Sequence, residues 1–138
     1  MGMQAAKPAI DIGIVVNDIR ASLAFYVEVL GLNKLEDMPV PFGVLHRLAF
    51  GDSFVKLIDP TRTPPKGTIG LEKCLGFRYL TFQVSNIDEI CDKCRNNGIE
   101  FTIEKKELIP SVTIAMVKDP DGNIVAVSYT HLTLPTKA

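Results

Sequence analysis

The sequence predicts an α+β fold made of two copies of one small unit: a strand, a helix and then further strands. Three observations carry this expectation. Ile10 to Gly31 reads as an aliphatic strand, a polar junction, an amphipathic helix and a glycine stop. A looser version returns at Phe77 to Cys91, where Tyr79, Val84, Asn86 and Ile87 stand 68 positions after Asp11, Val16, Asp18 and Ile19. Each copy then continues into strand-like runs broken by turn sequences, Gly51-Asp52-Ser53 in the first and Asp119-Pro120-Asp121-Gly122 in the second.

The first copy starts with a strand at about Ala9 to Val16. Ile10, Ile12, Ile14 and Val16 make one aliphatic face, suited to packing on a helix; Asp11, Gly13 and Val15 make the other. Asp18, or Asn17 beside it, can cap a helix over about Ile19 to Leu30. Ile19, Leu23, Tyr26 and Leu30 form its buried stripe, widened by Phe25 and Val29, and Gly31 suits a left-handed stop. Met38 to Gly43, with two prolines, is expected to be a loop. Strands are expected at about Val44 to Phe50 and Phe54 to Asp59, joined by a hairpin turn. Pro60 to Leu75, rich in Pro, Gly, Thr and Lys, connects the copies.

In the second copy, a strand at about Phe77 to Val84 turns Leu80, Phe82 and Val84 towards the helix layer and Tyr79, Thr81 and Gln83 away from it. Asn86 is expected to cap a helix ending at Asn96-Asn97-Gly98, with strands following at about Ile99 to Lys105, Ser111 to Lys118 and Asn123 to Tyr129. The chain is thus expected to be a single domain, 1–138, with module one at about 9–59, a linker at about 60–76 and module two at about 77–129. The tail 130–138 has no periodicity and no counterpart in the first module. It resembles read-through into cloning-vector sequence, with a break as early as Ala126.

Composition narrows the function. With 46% hydrophobic and 22% charged residues the chain is ordinary for a globular protein. A net charge of −1 argues against a nucleic-acid footprint or a polybasic membrane patch. No apolar run approaches the roughly 20 residues of a membrane span, and Met1 to Pro8 lacks the apolar core of a signal peptide. A cytoplasmic protein is expected. Three cysteines do not suggest a disulfide framework. Cys91 and Cys94 form a C-x-x-C, but they share a mid-helix stripe with Ile87 and Ile90, which reads as core rather than redox chemistry.

The order of elements resembles the vicinal oxygen chelate superfamily, which includes glyoxalase I, extradiol dioxygenases and the bleomycin resistance proteins. The motifs carrying the resemblance are Ile12-Gly13-Ile14-Val15-Val16-x-Asp18-Ile19 with Phe25-Tyr26-x-x-x-Leu30-Gly31-Leu32, and Asp119-Pro120-Asp121-Gly122-Asn123-Ile124. The resemblance implies two βαβββ modules, each curling its sheet into a half-barrel, that together form a glyoxalase/bleomycin-resistance-like cup. It also implies a homodimer whose subunits both line each cup.

Metal-bearing members of this superfamily place one ligand on each of four strands, typically His, Glu, His and Glu. By resemblance those positions fall here on Asp11, Lys56, Tyr79 and Ala126. Only Asp11 is an ordinary ligand, and an ammonium at Lys56 repels a cation in the same small pocket. Neither His46 nor His131 falls on these positions. The expected metal is none, and no cofactor is implied.

If Asp11 and Lys56 both point into the cup, they can form an ion pair, and Tyr79 adds a hydroxyl and an aromatic face. Three roles are open for this set: a structural salt bridge, a ligand contact, or a lysine of depressed pKa acting as base or electrophile. His46 and Arg47 are neighbours on one strand and face opposite sides, so one of them can reach the cup, with Arg47 the candidate anion contact. Phe42, Phe54 and Met116 are candidate lining residues.

The leading expectation is a metal-free cup, between modules or subunits, that binds a small molecule. One alternative is an atypical enzyme of the superfamily, whether lyase, epimerase or dioxygenase. Another is a dimeric scaffold with no catalytic role.

Overall fold

In the computed structural model, which describes residues 2–131, the chain divides into two compact units with the boundary between Lys66 and Gly67. The first contains strand β1 (Ile12–Val15), helix α1 (Ile19–Leu23), a π-helical segment (Ala24–Val29), β2 (Asn33–Lys34), β3 (Met38–Val40), β4 (Gly43–Phe50) and β5 (Ser53–Pro60). Its sheet has the order β1-β5-β4-β2, with β3 also paired to β4. The second unit contains β6 (Tyr79–Gln83), α2 (Ile87–Asn96), β7 (Phe101–Ile109), β8 (Val112–Lys118) and β9 (Ile124–Thr130). Its sheet has the order β6-β9-β8-β7. In each unit the first strand lies parallel to the last, and the other pairs are antiparallel. The two units share one topology, as the repeated sequence predicts.

The helix faces are built as the apolar spacing requires. In unit one, Val55 and Leu57 of β5 and Leu48 of β4 are buried in register with Ile12 and Ile14 of β1. Val16, Phe25, Tyr26 and Val29 complete this core, with the Phe25 and Tyr26 rings edge-on at 4.8 Å between centroids. Ile10 does not join it. It lies before β1 and is 85% exposed, so the aliphatic face begins at Ile12.

The first helix also differs from the expected single α-helix. Asp18 caps it as predicted, its Oδ1 accepting from the N–H groups of Arg20 (3.0 Å) and Ala21 (3.3 Å). From Ala24 the helix widens into π geometry, and the Leu30 N–H donates to the Phe25 carbonyl, five residues back, at 2.9 Å. Phe25, Tyr26 and Val29 of this segment are all buried. Gly31 then takes φ +85° and ends the element.

Met38 to Gly43 is not the loop the prolines suggest. Met38–Val40 forms β3, a short strand on the outer edge of β4. Proline removes one backbone donor, which an edge strand tolerates. The two-residue β2 has no clear sequence signal.

In unit two, α2 buries Ile87, Ile90, Cys91 and Cys94, and burial pushes both thiols up, Cys94 to about 11. They are core residues, not nucleophiles. Asn86 occupies the N-cap position without accepting a backbone N–H; its side-chain amide donates instead to Glu89 Oε1 at 3.0 Å. The Asp119 turn is closed by its own carboxylate. Oδ1 accepts from the N–H groups of Asp121 (2.9 Å) and Asn123 (2.8 Å), and Oδ2 from the Asn123 side chain (3.0 Å). Of the tail, Thr130 completes β9 opposite Val112, and the His131 N–H donates to the Ser111 carbonyl; the remainder lies outside the described residues.

Two substitutions test the packing. Gly43 has φ +153°, and a Cβ there would lie 2.1 Å from the Asp59 carbonyl oxygen. Gly43→Ala is expected to destabilise the protein by more than about 2 kcal/mol in urea unfolding. Ser22 is buried in the first helix with its hydroxyl unpartnered among the described residues. Ser22→Ala is expected to stabilise by about 0.5–1.5 kcal/mol in the same assay, since it removes an unpaired polar group and improves helix propensity.

Candidate functional site

The open face of the first sheet follows from its register. Since Val55 and Leu57 point to the helix, Phe54, Lys56 and Ile58 point the other way. Strand pairing then sets these residues in rows. Lys56 of β5 lies between Gly13 of β1 and Arg47 of β4. Ile58 lies between Val15 and Leu45, and Phe54 pairs with Ala49.

The centre of this face holds two adjacent cations. Directly opposed residues of an antiparallel pair have Cβ atoms about 5 Å apart, and like charges placed so destabilise by a few tenths to about 1 kcal/mol. No side-chain hydrogen bond or ion pair joins Arg47 or Lys56 to any described residue. Arg47 Nε is buried without an acceptor, a penalty of about 1–3 kcal/mol when such a group stays unpaired. Beside Arg47 is a shallow, open depression of about 540 Å³ lined also by Lys34, Leu35 and Glu36. Glu36 makes no ion pair with Arg47.

Asp11 does not pair with Lys56, which corrects the conditional ion pair expected above. Its Oδ1 accepts from Lys7 Nζ at 2.8 Å and from the Phe54 backbone N–H at 2.9 Å. Lys7 also lies 4.3 Å from the centroid of the Phe54 ring. The Lys7 hydrogen bond, then the Phe54 N–H, and more weakly the fields of Lys7 and Lys56, hold the Asp11 carboxyl below its ordinary value of 3.8. Lys7 escapes a sequence reading because it precedes any periodic segment; its four-residue spacing from Asp11 was the only available signal.

His46 faces away from Arg47, as strand alternation demands. It is buried on the helix-side face, with Nδ1 3.0 Å from Asp37 Oδ1. Asp37 is held below the usual carboxylate range, first by its hydrogen bond from Lys34. Phe42 lies in the turn before β4 and is exposed, off the sheet face. In the second unit, Tyr79 opens β6 opposite Ile124, with 55% of its surface exposed. Met116 of β8 pairs with Ala126 of β9, the neighbour of Thr81 on β6. Tyr79 and Met116 therefore share one face of the second sheet, as Arg47, Phe54 and Lys56 share one face of the first.

The four positions that the resemblance assigns to metal ligands do not fit a divalent ion. Asp11 offers a carboxylate whose Oδ1 already holds two donors, Lys56 offers a positive charge, and Ala126 offers no donor. Among the described residues no cluster of three or more His, Cys, Asp or Glu side chains is placed to bind a metal. No helix among them is long and apolar enough to cross a membrane.

The Asp11 contacts give a pH prediction. A carboxyl with a lowered native pKa binds its proton more readily in the unfolded chain, so stability rises with pH across that interval. The contribution is complete above the ordinary value of 3.8 and is lost as pH falls through the lower native value. Asp11→Asn is expected to remove that part of the acid dependence, read as a flatter curve of unfolding midpoint against pH below about pH 4.

Known proteins agree with the fold. A probable lactoylglutathione lyase from Synechocystis is 34% identical over 111 residues, which cover 78% of this chain and 83% of the relative. A lactoylglutathione lyase from Escherichia coli O157:H7 is 31% identical over 112 residues, covering 78% and 81%. Among solved structures, an antibiotic binding protein from a Streptomyces species superposes with a TM-score of 0.71 at 25% identity, covering 93% of this chain and 99% of that one. A glyoxalase family protein from Bacillus cereus, 18% identical, superposes with a TM-score of 0.77 over 94% of this chain and 98% of that one, a likeness of fold. The family model for the Glyoxalase/Bleomycin resistance protein/Dioxygenase superfamily matches residues 10–127, and the chain belongs to that superfamily.

Proposed function

We propose that this protein binds a small organic molecule without a metal, using the open face of the first sheet. The observation that carries the reading is the row Gly13–Lys56–Arg47. A metal-bearing relative needs a carboxylate at the position of Lys56, and here the residue and its cross-strand neighbour are both cations. The Streptomyces structure, an antibiotic binding protein, supports binding as a sufficient function for this fold. A cytoplasmic homodimer is part of the proposal, and Tyr79 and Met116, which share one face of the second sheet, are proposed as ligand contacts of that unit. It rests on composition, on family resemblance and on the shared face of those two side chains.

The second reading is a lyase, and it is favoured by the 34% identity to a probable lactoylglutathione lyase. The two readings differ in what the protein holds when purified without chelator. Metal content well below one ion per chain, no lactoylglutathione lyase activity after Ni, Zn or Mn is added, and a rise in melting temperature with some member of a neutral and charged compound panel are the expected results. Near-stoichiometric metal together with lyase activity would overturn the binding proposal.

A further inference from the structure

The open face of the first sheet also specifies the chemistry of its ligand. We infer that it recognises an organic carboxylate, with the anionic end on Arg47 and Lys56 and an apolar body along the neighbouring apolar row. This rests on the ligand-binding reading above and narrows it.

The argument begins with charge. Arg47 and Lys56 are in direct cross-strand register, and neither side chain has a hydrogen-bond acceptor or ion-pair partner among the described residues. The acids nearby in sequence do not neutralise them. Asp11 is engaged by Lys7 and the Phe54 N–H, Asp37 by Lys34 and His46, and Glu36 makes no ion pair with Arg47. An oxyanion is the group that satisfies adjacent guanidinium and ammonium donors at once. The planar guanidinium can present two parallel N–H groups to a carboxylate, while the ammonium donates as a point charge.

Space and polarity supply the rest. Gly13 completes the cation row on the β1 side without a side chain, and the depression beside Arg47 opens on the other side. The next row along the strands is Val15, Ile58 and Leu45, which is wholly apolar. On the opposite side, Phe54 pairs with Ala49. The Phe54 ring already carries Lys7, so the free apolar row is Val15, Ile58 and Leu45. A bare inorganic anion would use the cations and leave that row uncovered; an anion carrying an alkyl or aryl body would use both.

Calorimetric titration with octanoate, octanamide and inorganic phosphate tests this on the intact chain. Octanoate is expected to bind at least tenfold more tightly than octanamide, more tightly than phosphate, and more weakly as NaCl is raised from about 50 to 500 mM. Arg47→Met and Lys56→Met are each expected to weaken octanoate at least tenfold, with melting temperatures at or above that of the parent, because each removes one of two opposed like charges. No octanoate binding, or binding within twofold of the parent in both variants, would overturn the inference. So would phosphate binding as tightly as octanoate, since the apolar row would then contribute nothing. The comparison of octanoate with octanamide uses the unaltered protein and stands even if a variant fails to fold. Octanamide binding that survives both substitutions would sink the carboxylate assignment while leaving small-molecule binding intact. Failure of every compound in the neutral and charged panel would sink the binding proposal itself.

Discussion

The register of β5 governs the open face of the first sheet. This strand is hydrogen-bonded to β1 in parallel on one edge and to β4 antiparallel on the other, and alternation sends Val55 and Leu57 to the helix. A slip of one residue would drive Lys56 into the core and put Leu57 in solvent, so burial fixes the pairing strongly. Once it is fixed, Lys56 has no choice of neighbour. Gly13 lies on one side of it and Arg47 on the other. The hydrophobic effect, acting on the buried face, therefore places two like charges together on the opposite face.

That arrangement carries a penalty the fold tolerates. Leu48, Leu57 and Val55 are almost completely buried, and burying one such side chain contributes about 1.5–3 kcal/mol. This exceeds the repulsion between two partly solvated cations. The same reasoning explains why Asp11 does not relieve it. Asp11 precedes β1, where the chain is still free to bring Lys7 back across the Phe54 ring. A cation four residues away, together with the Phe54 N–H, reaches the carboxylate before Lys56 does. The local pair forms, and the cross-strand one is left unmade.

Much of the fold was legible in the sequence because it depends on periodicity and turn chemistry. The repeated strand–helix signal, the Asp18 cap, the Gly31 stop and the Asp119 turn are all local, and each has its structural cause within a few residues. What escaped depends on tertiary contact. The edge strand β3 exists because β4 offers it partners, despite Pro39. The π geometry of the first helix has no local signal, although the buried stripe of Phe25, Tyr26 and Val29 was legible. Asn86 has the right residue type for a cap, but Glu89 competes for its side chain. At the site, alternation placed Arg47 and His46 on opposite faces, but only the pairing with β5 shows that Arg47 is the one beside Lys56. The partner of Asp11 was missed, because Lys7 lies outside any periodic segment and its spacing from Asp11 is the sole signal.

The cations also limit what chemistry this face can perform. A metal ion with open positions is a Lewis acid and can stabilise charge that develops on a substrate oxygen. Guanidinium and ammonium groups stabilise an oxyanion through hydrogen bonds and charge, and they do so equally well for an anion that is already present before any reaction. Interactions made as strongly with the bound ground state as with a transition state hold a ligand without accelerating its conversion. Under the ligand reading proposed above, two cations meeting a preformed anion, with the Asp11 carboxylate held by Lys7, favour retention over turnover. The superfamily's scaffold is compatible with either outcome. On its first sheet, the position that carries a carboxylate ligand in metal-bearing relatives carries the Lys56 ammonium, which supplies positive charge but no Lewis acid.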